Sequence, residues 1–118
     1  MNTQRSELLS RFSAGVRREY GDRLRGLYVF DYLFGESADD DEVSVDTDVA
    51  VILTDGDWSF LEEKKRLVRL TFDILLDTEV YIRAWPLSAS AWNDPSTHAN
   101  PQLMRDIKSH SEPILEAV

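Results

Sequence analysis

The residues best suited to chemistry are Asp46 and Asp48, in the run Val45-Asp46-Thr47-Asp48-Val49-Ala50-Val51. Side chains alternate along a strand, so two carboxylates separated by one residue project from the same face. Paired hard oxygen ligands suit Mg²⁺, which takes one or two carboxylates and completes its octahedron with water and substrate phosphates. An ion held there would position a triphosphate and stabilise its developing charge, which is the work of phosphoryl or nucleotidyl transfer. Asp-x-Asp by itself is a common pattern. What singles it out is its place at the start of the apolar run Val49 to Leu53, which reads as a central strand.

The elements that must position this pair follow from periodicity. From Thr3 to Tyr20 the residues Leu8, Leu9, Phe12, Val16 and Tyr20 fall in one helical stripe, with Arg17 and Arg18 in the last turn and Gly21 at the expected C-cap. Arg25 to Leu33 carries consecutive Leu27, Tyr28, Val29 and Phe30 and reads as a buried strand. Phe34 to Ser44 holds Gly35, Glu36, Asp39, Asp40, Asp41 and Glu42. Its simplest reading is a solvated acidic loop, and an extra metal ligand from it is the alternative. Val45 to Leu53 is the second strand, closed by the turn Thr54-Asp55-Gly56-Asp57.

Ser59 and Glu62 have capping-box spacing, so a second helix starts there and extends to about Leu76. Its core side is expected to carry Leu61, Val68, Phe72 and Leu75, widened by Leu67, Leu70 and Ile74. Glu62, Glu63, Lys64, Lys65 and Arg69 are expected on the solvated side. Thr78 to Trp85 alternates as a third strand, with Val80, Ile82 and Ala84 on one face and Glu79, Tyr81, Arg83 and Trp85 on the other; Pro86 is expected to end it. Leu87 to Ala99 reads as a connector with at most one helical turn, pinned by Trp92. Asn100-Pro101 opens a last helix to Ser109, and Glu112 to Leu115 is a short strand or a tail. The order implies one domain over residues 1–118, of α/β (α+β) class, with a small mixed β-sheet flanked by helices.

Bulk properties narrow the function classes. The chain has 118 residues, 42% hydrophobic and 30% charged, as in ordinary globular proteins. A net charge of −9 disfavours direct binding to nucleic acid or to anionic membrane surfaces. The absence of cysteine removes disulfides and thiolate chemistry and fits a cytoplasmic location, and no stretch approaches the ~20 apolar residues of a membrane span. His98 and His110 sit in no motif, and no Ser-His-Asp order or phosphate-binding glycine loop is present.

Together the segments Val29-Phe30-Asp31-Tyr32-Leu33-Phe34-Gly35-Glu36-Ser37-Ala38 and Val45 to Val51 resemble the minimal nucleotidyltransferase (MNT) domain of the polymerase-β superfamily. That family carries Gly-Ser after its first strand and Asp-x-Asp on its second. The following helix, the third strand, and Trp85-Pro86-Leu87-Ser88 with Trp92 extend the similarity over nearly the whole chain. The resemblance implies an antitoxin of a HEPN/MNT toxin–antitoxin module. Such a protein neutralises a HEPN ribonuclease toxin in a hetero-oligomer, by binding or by transferring AMP from Mg²⁺–ATP.

By the resemblance Asp46 and Asp48 would be catalytic and hold the metal, and Tyr32 would stand where the nucleotide-binding serine does. Asp31-Tyr32 replaces Gly-Ser, which puts a negative charge where a phosphate would arrive. The acid carried on the third strand of full catalysts falls on Tyr81, with Glu79 as its substitute one step earlier. The alternative reading is therefore a catalytically inactive binding module, a pseudoenzyme on the same fold.

Overall fold

The structure is a computed structural model that describes residues 3–30 and 47–115. Asp31, Tyr32, the acidic run Asp39 to Glu42, and Asp46 lie outside the described residues.

The first helix, α1, spans Thr3–Tyr20 and buries Leu8, Phe12, Val16 and Tyr20, the stripe expected from its fourfold spacing. Gly21 follows at φ 55, in the left-handed region where glycine carries no Cβ penalty, and a single 3₁₀ turn leads into strand β1, Leu24–Phe30. Strand β2 is Thr47–Leu53 and every one of its residues is buried. Helix α2 runs Phe60–Thr78, with the Ser59 hydroxyl accepting from the Glu62 N–H as the capping signal requires. Strand β3 is Ile82–Ser88, followed by the short helix α3, Ala89–Asn93. Helix α4, Pro101–Ser109, starts with Asn100 accepting from the Leu103 N–H, and the chain returns as strand β4, Ser111–Leu115.

The strands form one mixed sheet in the order β3-β2-β1-β4. Strand β1 pairs antiparallel with both β2 and β4, whereas β2 and β3 are parallel, joined through α2. A central strand buried on both faces must serve two cores, and β2 does. Val49, Val51 and Leu53 face α1 and α2, where Phe12, Val16, Leu67 and Ile74 pack. Ala50 and Ile52 face Trp92, Met104 and Ile107 of α3 and α4. Trp92 stacks at 4.6 Å on Tyr28 and so pins the connector, as expected. The fold is thus the small mixed α+β sheet flanked by helices that the sequence implied.

Two local expectations are corrected. Strand β3 does not end at Pro86; it continues to Ser88, with Pro86 opposite Val51. It is an edge strand, so the N–H that proline lacks is one the ladder does not require. Its start also shifts, because α2 continues to Thr78 and Glu79 follows at φ 66 as a left-handed cap, leaving Glu79 outside the strand.

The larger correction concerns α2. The side turned to the sheet carries Leu67, Thr71 and Ile74 together with Glu63, while Leu61, Val68 and Phe72 point outward. The helix has two apolar stripes, and periodicity could not say which one the sheet would take.

Candidate functional site

Parity decides where the side chains of β2 point. Asp48 shares a face with Ala50 and Ile52, so it looks toward the α3/α4 side, at the end of the sheet where β2 begins. It is 6% exposed. A carboxylate that far from water must be paired and hydrogen-bonded, and the register supplies the partner. In the parallel β2–β3 ladder Asp48 stands opposite Arg83. The Arg83 guanidinium donates from Nε to Asp48 Oδ1 at 2.7 Å and from one terminal nitrogen to Oδ2 at 3.2 Å, a fork on both oxygens. Trp85, two residues along the same face of β3, donates its indole N–H to Oδ1 at 3.2 Å.

A second cation closes the cluster. Lys64 of α2 donates its ammonium to the Ala84 carbonyl at 2.6 Å, on edge strand β3, and lies 5.4 Å from the centre of the Trp85 ring. Burial pushes the Lys64 pKa down and the Arg83 charge adds to this, while Asp48 acts in the opposite direction.

This geometry bears directly on the metal expected at Asp48. Three N–H groups already converge on its two oxygens, one set from a fixed guanidinium, and the ammonium of Lys64 is close by. A divalent ion at Asp48 would have to displace Arg83 or sit against it as a like charge. Asp48 as held here is a partner for arginine. Among the described residues no three His, Asp or Glu side chains gather closely enough to bind a metal. Glu79, the suggested substitute acid, is exposed at the end of α2, and Tyr81 precedes β3, its carbonyl accepting from the Thr47 N–H at 3.2 Å. What the third strand brings to Asp48 is Arg83 rather than a carboxylate.

A second buried acid lies on the opposite face and at the opposite end of the sheet. Glu63 of α2 is 3% exposed. The Tyr20 hydroxyl donates to its Oε1 at 2.9 Å, and Arg23 reaches Oε2 at 3.4 Å. Arg66, one helical turn on, brings Nε to 3.2 Å from Oε1, close enough for ionic attraction although the N–H is not aligned for a hydrogen bond. Burial, then the hydrogen bond to the carboxylate, hold the Tyr20 hydroxyl well above its ordinary pKa.

Sequence reasoning placed Glu63 and Lys64 among solvated charges, did not single out Arg83, and gave Trp85 no part in holding Asp48. A signal for Arg83 was present. It shares a face with Trp85 on the third strand, and a cation on a half-buried face requires a counter-charge. Nothing local could reveal the pairing of Glu63, whose partners lie 43 and 40 residues away in Tyr20 and Arg23.

A shallower polar pair lies at the surface, where β2 ends and α3 begins. Asp55 accepts from both the backbone N–H and the hydroxyl of Ser90, which keeps its carboxyl below the usual range. These two residues border an open cavity of about 430 Å³ together with Trp58, Pro86 and His98. His98 Nδ1 accepts from the Asn100 N–H, and the Ser90 hydroxyl donates directly to Asp55. No helix among the described residues is long and apolar enough to cross a membrane. No protein-family model, no curated protein and no solved structure matches this chain.

Proposed function

We propose that this chain is a nucleotidyltransferase-like binding module of the antitoxin type, which neutralises a HEPN-type ribonuclease toxin by association rather than by AMP transfer. The observation that carries this reading is the Arg83–Trp85 clamp on Asp48. A carboxylate committed to a guanidinium on both oxygens stabilises a strand pair and leaves little for a metal–triphosphate. Asp31-Tyr32, in the place of Gly-Ser, points the same way, because a carboxylate there repels phosphate. A protein with a net charge of −9 can cover a basic ribonuclease surface through complementary charge and shape alone.

Titration calorimetry with ATP and Mg²⁺ is expected to give no heat. Co-expression with the product of an adjacent gene encoding a short helical Arg-x-x-x-x-His protein is expected to relieve its toxicity and to yield a stable complex. Asp46→Asn with Asp48→Asn should leave that rescue intact. Transfer of label from ATP to the partner by the native chain, lost in the double variant, would establish the enzymatic alternative with Asp46 and Asp48 as metal ligands.

A further inference from the structure

Strands β2 and β3 run parallel and finish level with each other, Leu53 beside Ser88. Beyond their carboxyl ends, where open α/β sheets form ligand crevices, lies the open cavity of about 430 Å³ bordered by Asp55 and Ser90. Its size falls within the ~300–1,000 Å³ of ordinary ligand sites. Trp58, Phe60 and His98 line it together with Pro86, so much of its wall is ring surface. Phe60 is 51% exposed, an aromatic side chain that the core does not use.

The polar groups of the lining decide what fits. The Trp58 indole N–H is committed to the Thr54 carbonyl at 2.9 Å, and the Ser88 hydroxyl accepts from the Ala91 N–H at 3.2 Å. Both Ser90 donors go to Asp55, the N–H to Oδ1 at 3.0 Å and the hydroxyl to Oδ2. An ionised carboxylate accepts about four hydrogen bonds. Asp55 therefore keeps acceptor capacity on both oxygens, in an orientation that Ser90 fixes. No lysine or arginine lines the cavity, and Asp55 forms no ion pair among the described residues. Asp48 and Glu63 each take an arginine from the chain itself, and Asp55 takes none.

We infer that this cavity binds the guanidinium group of an arginine presented by a partner protein, forked on Asp55 and flanked by the rings of Trp58, Phe60 and His98. A cation is attracted both by a carboxylate and by aromatic faces. A planar guanidinium meets two carboxylate oxygens at once and stacks on a ring, which an ammonium group does not. Asp57 in the same turn and the net charge of −9 draw a cation and repel an anion. The wide mouth suits a side chain reaching in from a protein surface, whereas small molecules are held where most of their surface is enclosed. The cavity lies at the opposite end of β2 from Asp48.

The test is titration of the isotope-labelled full chain with acetyl-Gly-Arg-Gly-amide at constant ionic strength, followed by two-dimensional NMR. Saturable shifts are expected at Asp55, Gly56, the Trp58 indole and Ser90, with a dissociation constant on the order of 1 mM. The matching lysine peptide should bind about tenfold more weakly, and the citrulline peptide, equal in shape but uncharged, should not saturate. Asp55→Asn should weaken the arginine peptide about tenfold and His98→Ala about threefold, each with the rest of the spectrum unchanged. No saturable shift at tens of millimolar peptide, affinity unaltered by Asp55→Asn, or equal binding of the arginine and citrulline peptides would each overturn the site. Methylguanidinium binding more tightly than the peptide would make it a small-molecule site and overturn the protein partner. The titration needs no toxin, so a negative result leaves the proposed function standing.

Discussion

Asp48 and Glu63 are the two buried carboxylates of the described structure, and they occupy opposite faces and opposite ends of the sheet. One lies in the motif that carried the sequence argument; the other lay among residues expected to be solvated. Their surroundings are nonetheless alike. Each is almost sealed from water, each is matched by arginine whose own side chain is roughly 35–41% exposed, and each takes one further hydrogen bond from an aromatic residue, Trp85 or Tyr20. The lesson is that this fold keeps both buried acids as hydrogen-bonded halves of ion pairs. They differ in origin: Asp48 meets Arg83 through strand register, whereas Glu63 gathers partners from a distant helix end, a turn, and its own helix.

That comparison can be broken most forcefully by removing an arginine. Arg83→Ala leaves Asp48 buried without its counter-charge, and the loss is expected to be about 3 kcal/mol in urea unfolding, at the low end for a broken buried pair because water can follow the vacated side chain. Glu63→Ala should cost less, about 2 kcal/mol, since Arg23 and Arg66 can turn to water. Asp48→Asn should cost about 1 kcal/mol, for Arg83 is likewise able to hydrate. If instead Asp48→Asn stabilised the protein, Asp48 would carry the strain typical of a functional residue, and the likeness to Glu63 would fail.

The smallest effects are in pH dependence and separate the two sites by sign. The Tyr20 pKa is raised in the folded state, so its contribution is fully present below its unfolded pKa of about 10 and is lost as pH rises above that value. Lys64 behaves oppositely: its folded pKa is lowered from 10.5, the unfolded chain binds more protons between the two values, and stability rises with pH through that window. Tyr20→Phe should cost about 1 kcal/mol at neutral pH and flatten the alkaline fall in thermal midpoint. Lys64→Gln should leave a steeper fall, because the compensating rise is gone.

Most of the local architecture was legible beforehand because it rests on short-range rules. The stripe Leu8-Phe12-Val16-Tyr20, the caps Ser59 and Asn100, Gly21 after α1, and the continuous apolar run of β2 each state a helix, a terminus or a buried strand within a few residues. The errors fell where the choice depended on what lay opposite. Pro86 reads as a strand end until β3 is known to be an edge, and Glu79 reads as a strand residue until α2 is seen to continue past it.

Sequence by itself determined that Asp48 would sit at the head of a buried strand, facing one way with Ala50 and Ile52, because alternation along a strand is a local property. It also determined that α2 would begin at the Ser59 cap and carry Leu67, Leu70 and Ile74 within a wide apolar face. Only the tertiary structure decided that Arg83 would stand opposite Asp48, and that Leu67 and Ile74 would face the core while Leu61 and Phe72 faced solvent. The physical reason is the same in both cases. Strand register and helix rotation are fixed by the summed fit of many distant contacts, among them the pairing of Glu63 with Tyr20 and Arg23, and no single segment contains that sum.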